Sequence, residues 1–286
     1  MVTPFAPDGS VNFDVAAELA RFLVAEGSEG LVVGGSTGEG SSLSDDEKLS
    51  LFACVAEAVT VPVVAGSTFA NTQQSVALTG QVKATGAAGV LATTPAYARP
   101  NQAGIAAHLG AIAESTPLEV MLYDIPARTG RKINSATLVE LVRTHQNIIA
   151  VKDASGDLVG AAHSKSVLGD ALDLYSGDDA VVLPFMGIGA VGLVSVAAHW
   201  AGPEVAGIVH AAAAGDWHEA RRLNEVAAAS FAFESTDAYP NPMPAKAALR
   251  ALGLNVGGCR LPHGPADPEL DAAAAELVAS LKTARG

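Results

Sequence analysis

The chain has little cysteine and no long apolar run, and each shortage excludes a class of protein. Its 286 residues include 2 cysteines, Cys54 and Cys259, which lie far apart and lack the spacing of a metal site. This favours structural thiols in a reducing compartment over a disulfide framework. Although 49% of the residues are hydrophobic, no uninterrupted run of about 18 apolar residues appears, so no membrane span is predicted.

Basic residues are also scarce, with 17 Lys and Arg against 30 Asp and Glu and a formal net charge of −13. This balance disfavours nucleic acid and anionic membranes as partners, but a few local cations could still bind a small anionic substrate. The first residues lack a basic region followed by an apolar one, so no signal peptide is predicted. We therefore expect a cytoplasmic protein, long enough for one large barrel or two ordinary domains.

Strand-like and helix-like segments alternate along most of the chain, at a period of roughly 25 to 30 residues. Short apolar runs predict strands at 30–35, 61–66, 88–93, 118–124, 147–152, 171–176 and 190–196, with 2–5 as a clipped first strand. Helical spacing predicts helices at 14–26, 45–59, 72–85, 102–115, 135–145, 157–168 and 179–186. Ser44 and Glu47 have capping-box spacing, and Asn134 is a further candidate cap.

Eight such units predict an α/β fold in which a parallel sheet closes into a (β/α)8 TIM barrel, because open doubly wound sheets usually have fewer strands. After residue 197 the strand signals stop, and Ala-rich helices follow with breaks at 214–216, 239–242 and 257–268. We therefore predict a barrel domain at 1–214 and a C-terminal helical extension at 215–286 that packs on it. The chain starts inside the first strand, which suggests that a segment is missing before it.

The stretch 147–155 ends an apolar strand with a lysine, Lys152, directly before a turn. The simpler interpretation is that Lys152 extends out of the sheet toward a carboxylate such as Asp153 or Asp178. The alternative is that burial favours the neutral amine, which attacks a carbonyl carbon to form a Schiff base. The strand alone leaves both interpretations open.

Polar residues gather at the ends of the predicted strands, where a barrel carries its chemistry. These strand ends supply hydroxyl, carboxylate and cationic groups from Ser36, Thr37, Ser67, Thr68, Thr94, Tyr97, Tyr123, Arg128, Lys152, Ser176, Asp178 and Ser195. Seven strand ends with polar groups on one face favour an active site there.

The segment GGSTG at 34–38 matches the G-x-S-x-G motif of a hydrolase nucleophile elbow. An elbow requires a helix directly after the serine, whereas the capping signal comes only at Ser44. The candidate histidines His163, His199 and His210 lie in helical segments, so a hydrolase is disfavoured.

No dinucleotide fingerprint or phosphate loop follows a strand. The acidic pair at 178–179 is interpreted as a helix cap rather than a metal or acid–base pair.

Four segments, in register along the chain, resemble one family. They are GSTGE at 35–39, YDIPARTG at 123–130, VKDASG at 151–156 and YSGDDA at 175–180. Together with TPAY at 94–97, GLVSV at 192–196 and NPMPAK at 241–246, they resemble the signatures of the dihydrodipicolinate synthases. That family belongs to the class I pyruvate aldolases, which also include the N-acetylneuraminate lyases.

The resemblance implies a proton relay around a lysine imine. Lys152 would form the Schiff base with pyruvate, and Tyr123 would carry the proton. Ser36 would pass the proton on, and Tyr97, inserted from the partner subunit across a tight dimer, would complete the relay to solvent.

The resemblance also implies how the substrate is held. Thr37 would bind the pyruvate carboxylate, and Gly177 and Val194 would line the pocket. No metal or organic cofactor is implied, because the lysine itself supplies the electron sink. The expected assembly is a homotetramer built as a dimer of dimers.

Arg128 discriminates among the members of the group. In the synthases an arginine here binds the carboxylate of aspartate semialdehyde, whereas the N-acetylneuraminate lyases usually carry an apolar residue. Taken alone, Arg128 is equally consistent with a surface ion pair to Asp124 or Glu140. Ser36 and Ala96 depart from the synthase pattern, which has threonine and tyrosine there.

We predict condensation of pyruvate with aspartate semialdehyde. The alternatives are a sister aldolase for N-acetylneuraminate or a 2-keto-3-deoxy sugar acid, and a catalytically silent barrel.

Many synthases of the family bind the inhibitor lysine in a cleft at the tight-dimer interface, through an asparagine, a glutamate, histidines and a tyrosine. In register with that cleft, this chain has Ala70, Gln74, Asp45, Lys48 and Ala96. Ala96 removes the aromatic wall, Gln74 lacks the charge to hold an ammonium group, and Lys48 would repel it. We therefore expect lysine feedback to be absent.

Overall fold

The computed structural model describes residues 1–285, in which strands and helices alternate along the chain. The strands are β1 (Leu31–Val33), β2 (Val63–Gly66), β3 (Gly89–Thr93), β4 (Glu119–Asp124), β5 (Ile148–Asp153), β6 (Asp173–Ser176) and β7 (Gly192–Leu193). The helices are α1 (Phe13–Ala25), α2 (Asp45–Ala58), α3 (Thr72–Val82), α4 (Gln102–Glu114), α5 (Pro126–Thr129), α6 (Ser135–Thr144), α7 (Leu158–Leu168), α8 (Val182–Gly187), α9 (Gly202–Ala213), α10 (Trp217–Phe233), α11 (Met243–Ala251) and α12 (Pro268–Ala284).

The strands form one seven-stranded sheet whose order follows the chain from β1 to β7. Every neighbouring pair from β2–β3 to β6–β7 is parallel. Parallel neighbours require a crossover connection, and helices occupy the connections between these strands. The parallel sheet and the positions of its seven strands are therefore as predicted.

The predicted clipped strand at 2–5 is wrong. In the described residues this segment forms no strand, and Phe5 makes only an isolated antiparallel bridge with Val11. The backbone N–H of Phe5 donates to the carbonyl oxygen of Val256 at 3.1 Å, and Oγ1 of Thr3 donates to the carbonyl oxygen of Gly38 at 2.6 Å. The N–H of Val2 donates to Nε2 of His199, so these three hydrogen bonds all go to groups outside the sheet.

Most predicted helices agree with the structure to within a few residues. Ser44 and Glu47 form the predicted capping box, in which each side chain accepts a hydrogen bond from the other residue's N–H. Asn134 does precede α6, but its side chain makes no capping hydrogen bond, so that part of the prediction is wrong. The short helix α5 begins at Pro126 and was not predicted, because four residues are too few to show a helical period.

The chain divides into two compact units, which we describe separately. The first comprises residues 1–63 and 195–285. It holds α1, α2 and the C-terminal helices, with α9 packed on α10 and α11 packed on α12. The second comprises residues 64–194 and holds most of the sheet with α3 to α8. Its core includes Val90, Leu122, Val151 and Leu174, all of which are buried. No helix within residues 1–285 has the length and apolar content needed to cross a membrane.

Candidate active site

Lys152 and Tyr123 lie side by side at the carboxyl ends of β5 and β4. The parallel register pairs the two residues directly, and Nζ of Lys152 lies 4.1 Å from the centroid of the Tyr123 ring. Lys152 is 8% exposed and Tyr123 is 4% exposed. A lysine that extends to a surface carboxylate would be far more exposed, so this interpretation does not describe Lys152.

Gly177 follows β6 and leaves space for the side chain of Lys152. A Cβ atom at position 177 would lie 3.0 Å from Cγ and 3.1 Å from Cε of Lys152, and 2.9 Å from Cβ of Ala154. The N–H of Gly177 donates to the carbonyl oxygen of Asp153 at 2.7 Å, which fixes the turn against β5. The lysine stem therefore requires a glycine at this position.

Val194 lies just beyond β7, where its N–H donates to the carbonyl oxygen of Ser176 at 2.9 Å. It completes a group of four predicted site residues, together with Tyr123, Lys152 and Gly177, at the carboxyl ends of consecutive parallel strands. Ligands bind at this end of parallel sheets in α/β folds. The second compact unit thus brings these four predicted residues to neighbouring strand ends.

Tyr97 and Arg128 are exposed. Tyr97 lies in the loop after β3, is 98% exposed and has a φ of 67°. The left-handed region is uncommon for a bulky side chain. Arg128 lies in α5, the single helical turn that follows β4. Neither residue belongs to the buried group around Lys152.

Ser36 lies in the first compact unit, in a tight loop that follows β1. Its carbonyl oxygen accepts a hydrogen bond from the N–H of Glu39, and that of Gly35 accepts one from the N–H of Gly40, both at 3.1 Å. A Cβ atom at position 40 would lie 2.0 Å from the carbonyl oxygen of Gly34, so only glycine fits there. Thr37, the next residue in the loop, accepts a hydrogen bond at Oγ1 from the side-chain amide of Asn241.

The geometry excludes the hydrolase interpretation. Helix α2 begins at Asp45 rather than directly after Ser36. His199 is buried, accepts a hydrogen bond at Nε2 from the N–H of Val2 at 3.0 Å, and contacts the carbonyl oxygen of Val196 through Nδ1 at 2.7 Å. Burial lowers the pKa of His199 to about 3. It is therefore a neutral structural histidine.

A buried acidic pair lies one residue beyond Tyr123 and Lys152, although its two members were expected only as separate ion-pair partners, Asp124 for Arg128 and Asp153 for Lys152. Asp124 and Asp153 are register partners and are 3% and 6% exposed. Oδ1 of Asp124 accepts a hydrogen bond from the N–H of Ile133 at 3.0 Å, and its Oδ2 lies 3.9 Å from Nζ of Lys132. Burial raises the pKa of Asp124 to about 7, and the nearby charge of Asp153 adds to this increase. Two acidic residues at the ends of adjacent apolar strands could have indicated this pair.

Glu39, Asn241 and Lys246 lie within the family-like motifs but had no predicted function. Nζ of Lys246 lies 2.7 Å from Oε1 of Glu39, and their side chains are 1% and 0% exposed. Nδ2 of Asn241 donates to Oγ1 of Thr37 at 2.9 Å. A lysine within an Ala-rich helix is usually exposed, so the local sequence does not indicate that Lys246 is buried. Its partner, some 200 residues away, cannot be read from the local sequence.

A parallel α/β sheet that places a buried lysine beside a tyrosine at its carboxyl ends fits a class I, pyruvate-dependent lyase. Residues 1–282 match the model of the Dihydrodipicolinate synthetase family. The chain therefore belongs to this family, as the four motifs predicted.

Individual relatives agree with this assignment. The chain is 42% identical over 264 residues to the 4-hydroxy-tetrahydrodipicolinate synthase of Desulforamulus reducens, with 92% of this chain and 88% of that protein covered. A crystal structure of the Cyanidioschyzon merolae enzyme with lysine bound has a TM-score of 0.94 and 36% identity, covering 99% of this chain and 96% of that one. The crystal structure of the chloride-inhibited dihydrodipicolinate synthase from Acinetobacter baumannii, complexed with pyruvate, has a TM-score of 0.92 and 31% identity. The match covers 99% of this chain and 97% of that one.

Proposed function

We propose that the protein condenses pyruvate with L-aspartate 4-semialdehyde to give 4-hydroxy-tetrahydrodipicolinate, a step of lysine and diaminopimelate biosynthesis in the cytoplasm. The observation that carries the proposal is the buried Lys152–Tyr123 pair in a chain of this family. An amine enclosed beside a phenol has both the nucleophile and the proton carrier that imine formation needs.

In the proposed mechanism, Nζ of Lys152 attacks C2 of pyruvate, and loss of water gives a protonated imine. Removal of a methyl proton yields an enamine, whose carbon attacks the aldehyde carbon of the second substrate. The amino group of the semialdehyde then attacks the imine carbon, which closes the ring and expels the amine of Lys152, with net loss of one water. Tyr123 carries protons to and from the reacting atoms, and Ser36 and Tyr97 connect it to solvent. No metal or organic cofactor takes part.

The remaining residues bind substrate in this proposal. Thr37 holds the pyruvate carboxylate, and Gly177 and Val194 line the pocket. Arg128 binds the carboxylate of the semialdehyde, for which its two-pronged guanidinium is suited. An apolar residue at position 128 would instead favour a sister aldolase that acts on N-acetylneuraminate or a 2-keto-3-deoxy sugar acid.

We further propose that the seven-stranded sheet forms a TIM-barrel-like domain over residues 1–214 with a helical extension over 215–286, assembled as a homotetramer in which Tyr97 crosses the tight dimer. The 98% exposure of this tyrosine supports the crossing, because a large aromatic side chain in water is usually covered by a partner. Mixing inactive Lys152→Ala and Tyr97→Phe subunits tests it. Mixed dimers should regain activity, since one site would then contain both native residues.

Borohydride reduction in the presence of pyruvate tests the chemistry. It should add one pyruvyl group to the peptide that contains Lys152, and Lys152→Ala should lose both the adduct and the activity. Labelling of Lys165, whose Nζ donates to the carbonyl oxygens of Gly169 and Leu172 at 2.9 Å, would refute the assignment. Cleavage of N-acetylneuraminate by the wild type would favour the sister aldolase. The absence of any pyruvate adduct would favour a barrel that only binds ligands.

A further inference from the structure

The side chain of Asn241 reaches the hydroxyl of Thr37, 204 residues away in the sequence. Nδ2 of Asn241 lies 2.9 Å from Oγ1 of Thr37 and donates to it. Asn241 is 8% exposed, and both residues belong to the first compact unit. The hydrogen bond from this buried amide therefore restricts the orientation of the Thr37 hydroxyl.

Two further contacts hold the loop in place around Thr37. Oγ1 of Thr3 donates to the carbonyl oxygen of Gly38 at 2.6 Å. On the other side, Oε2 of Glu39 accepts a hydrogen bond from the N–H of Arg260 at 2.8 Å. The loop is therefore fixed at the two residues that directly follow Thr37.

The segment that carries Asn241 is fixed to the same loop a second time. Asn241 and Pro242 directly precede α11, and Lys246 in α11 makes the buried ion pair with Glu39. Removing one partner of such a pair leaves an uncompensated buried charge, so the contact resists separation. This ion pair therefore helps to keep the amide of Asn241 within hydrogen-bond distance of the Thr37 hydroxyl.

A threonine hydroxyl has one proton to donate and two lone pairs that accept. When Nδ2 of Asn241 occupies a lone pair of Oγ1, the hydroxyl proton of Thr37 stays available for another acceptor. An ionised carboxylate only accepts hydrogen bonds, so it needs that proton. If the hydroxyl donated to the amide oxygen instead, it would offer a substrate carboxylate nothing.

We propose that Asn241 is a positioning residue, which orients the hydroxyl of Thr37 so that its proton points to the carboxylate of pyruvate. The inference rests on the proposed function, in which Thr37 binds this carboxylate. It adds a residue from the C-terminal segment to the determinants of pyruvate affinity.

A double-mutant cycle in the full-length protein tests the inference through the KM for pyruvate. Thr37→Val should raise this KM roughly 10- to 100-fold, the range expected for a lost hydrogen bond to a charged group. Asn241→Leu should raise it by roughly 3- to 10-fold, while kcat at saturating pyruvate changes by less than about threefold. Because Asn241 acts through Thr37, the double variant should match Thr37→Val within about twofold.

The controls separate positioning from a general loss of structure. Asn255→Leu makes the same change at an exposed position and should leave the KM unchanged. If Asn241→Leu does not fold, Asn241→Asp keeps the shape but presents carboxylate oxygens that compete for the hydroxyl proton. Its effect on KM should be larger with Thr37 present than in the Thr37→Val background.

The inference would be overturned by an unchanged KM in Asn241→Leu, or by effects of the two substitutions that multiply independently. A uniform fall in kcat with unchanged KM values would also overturn it, because a purely structural role predicts that pattern. Failure of the wild type to form a pyruvate adduct would refute the proposed function itself. An adduct together with an uncoupled cycle would refute only the role of Asn241.

Discussion

Tyr123 faces Lys152 because the pairing of β4 with β5 shifts by one residue between Val120 and Met121. Val120 pairs with Ile148, and an unshifted continuation would place Tyr123 opposite Val151. The irregularity moves Tyr123 into register with Lys152, where Nζ lies 4.1 Å from the ring centroid. A slip of one residue sends a side chain to the other face of a sheet. The local irregularity is therefore what brings the amine and the phenol together.

The space around the amine depends on Gly177, and Gly177→Ala tests this. The new Cβ would lie within 3.0 to 3.1 Å of the Lys152 stem, so the lysine has to move. Misplacement of a reacting group by about 1 Å can cost on the order of 100-fold in rate, and we expect kcat/KM to fall by about that factor. Steady-state kinetics and the yield of the pyruvate adduct measure the effect.

Gly80→Ala is the matched control for this substitution. Gly80 lies within α3, and its added Cβ would have an ordinary contact at 3.6 Å, to the carbonyl oxygen of Ser115. The change should keep full activity and raise the free energy of unfolding by roughly 0.5 to 1 kcal/mol, because alanine is the better helix former. Equal activity of the Gly177 and Gly80 variants would show that the lysine does not need the space.

The sequence was sufficient for the parts of the site that depend on local pattern. Lys152 could be placed at a strand end because an apolar run with a terminal cation is visible along the chain. The shift between Val120 and Met121 was not predictable, since it depends on how two separate strands pair. The contact between Asn241 and Thr37 depends on packing between distant segments, which no local pattern contains.

Arg128→Ala should raise the KM for aspartate semialdehyde far more than that for pyruvate. The lost interaction with a carboxylate is worth roughly 2 to 3 kcal/mol, which corresponds to an increase of about 30- to 150-fold. Arg143→Ala is the control, because Arg143 is an exposed arginine in the last turn of α6. It should change neither constant. Equal effects of Arg128→Ala on both substrates would assign Arg128 a structural role.

The buried carboxyl of Asp124 should make stability depend on pH. Its pKa is about 7 in the folded chain, above the ordinary value of 3.8, mainly because it is buried. Between these two values the folded state binds more protons than the unfolded state. The free energy of unfolding should therefore fall as the pH rises through this range, and the penalty should be complete above about pH 7.

Asp124→Asn removes this dependence while its side-chain oxygen can still accept the hydrogen bond from the N–H of Ile133. We compare the free energy of unfolding of the variant with that of the wild type. The difference between them should increase in favour of the variant by on the order of 1 to 3 kcal/mol from about pH 5 to pH 8. Urea unfolding at the two pH values measures the difference. An equal difference at both would mean that Asp124 is ionised throughout.

Lysine should not inhibit the enzyme at millimolar concentrations. Ala96 and Gln74 are exposed in the structure, and they stand where the lysine-binding synthases are expected to have a tyrosine and an acidic residue. The expected repulsion by Lys48 needs correction, because this side chain is 1% exposed and burial lowers its pKa to about 8. A buried amine does not present a charge to a solvent-filled cleft. The expectation therefore rests on the missing aromatic wall and the missing negative charge.

A lysine titration of the condensation rate at saturating pyruvate and about pH 8 tests this expectation. Losing an aromatic and a charge-assisted contact, each worth roughly 1 to 3 kcal/mol, should weaken binding by about 30-fold or more. Ala96→Tyr combined with Gln74→Glu restores both contacts, so inhibition should appear or strengthen in that variant. Ala70→Ser, a small polar change at another exposed cleft position, is the control and should have no effect. Half-inhibition of the wild type below about 1 mM, equivalent to roughly 4 kcal/mol of binding, would mean that a different set of residues holds lysine.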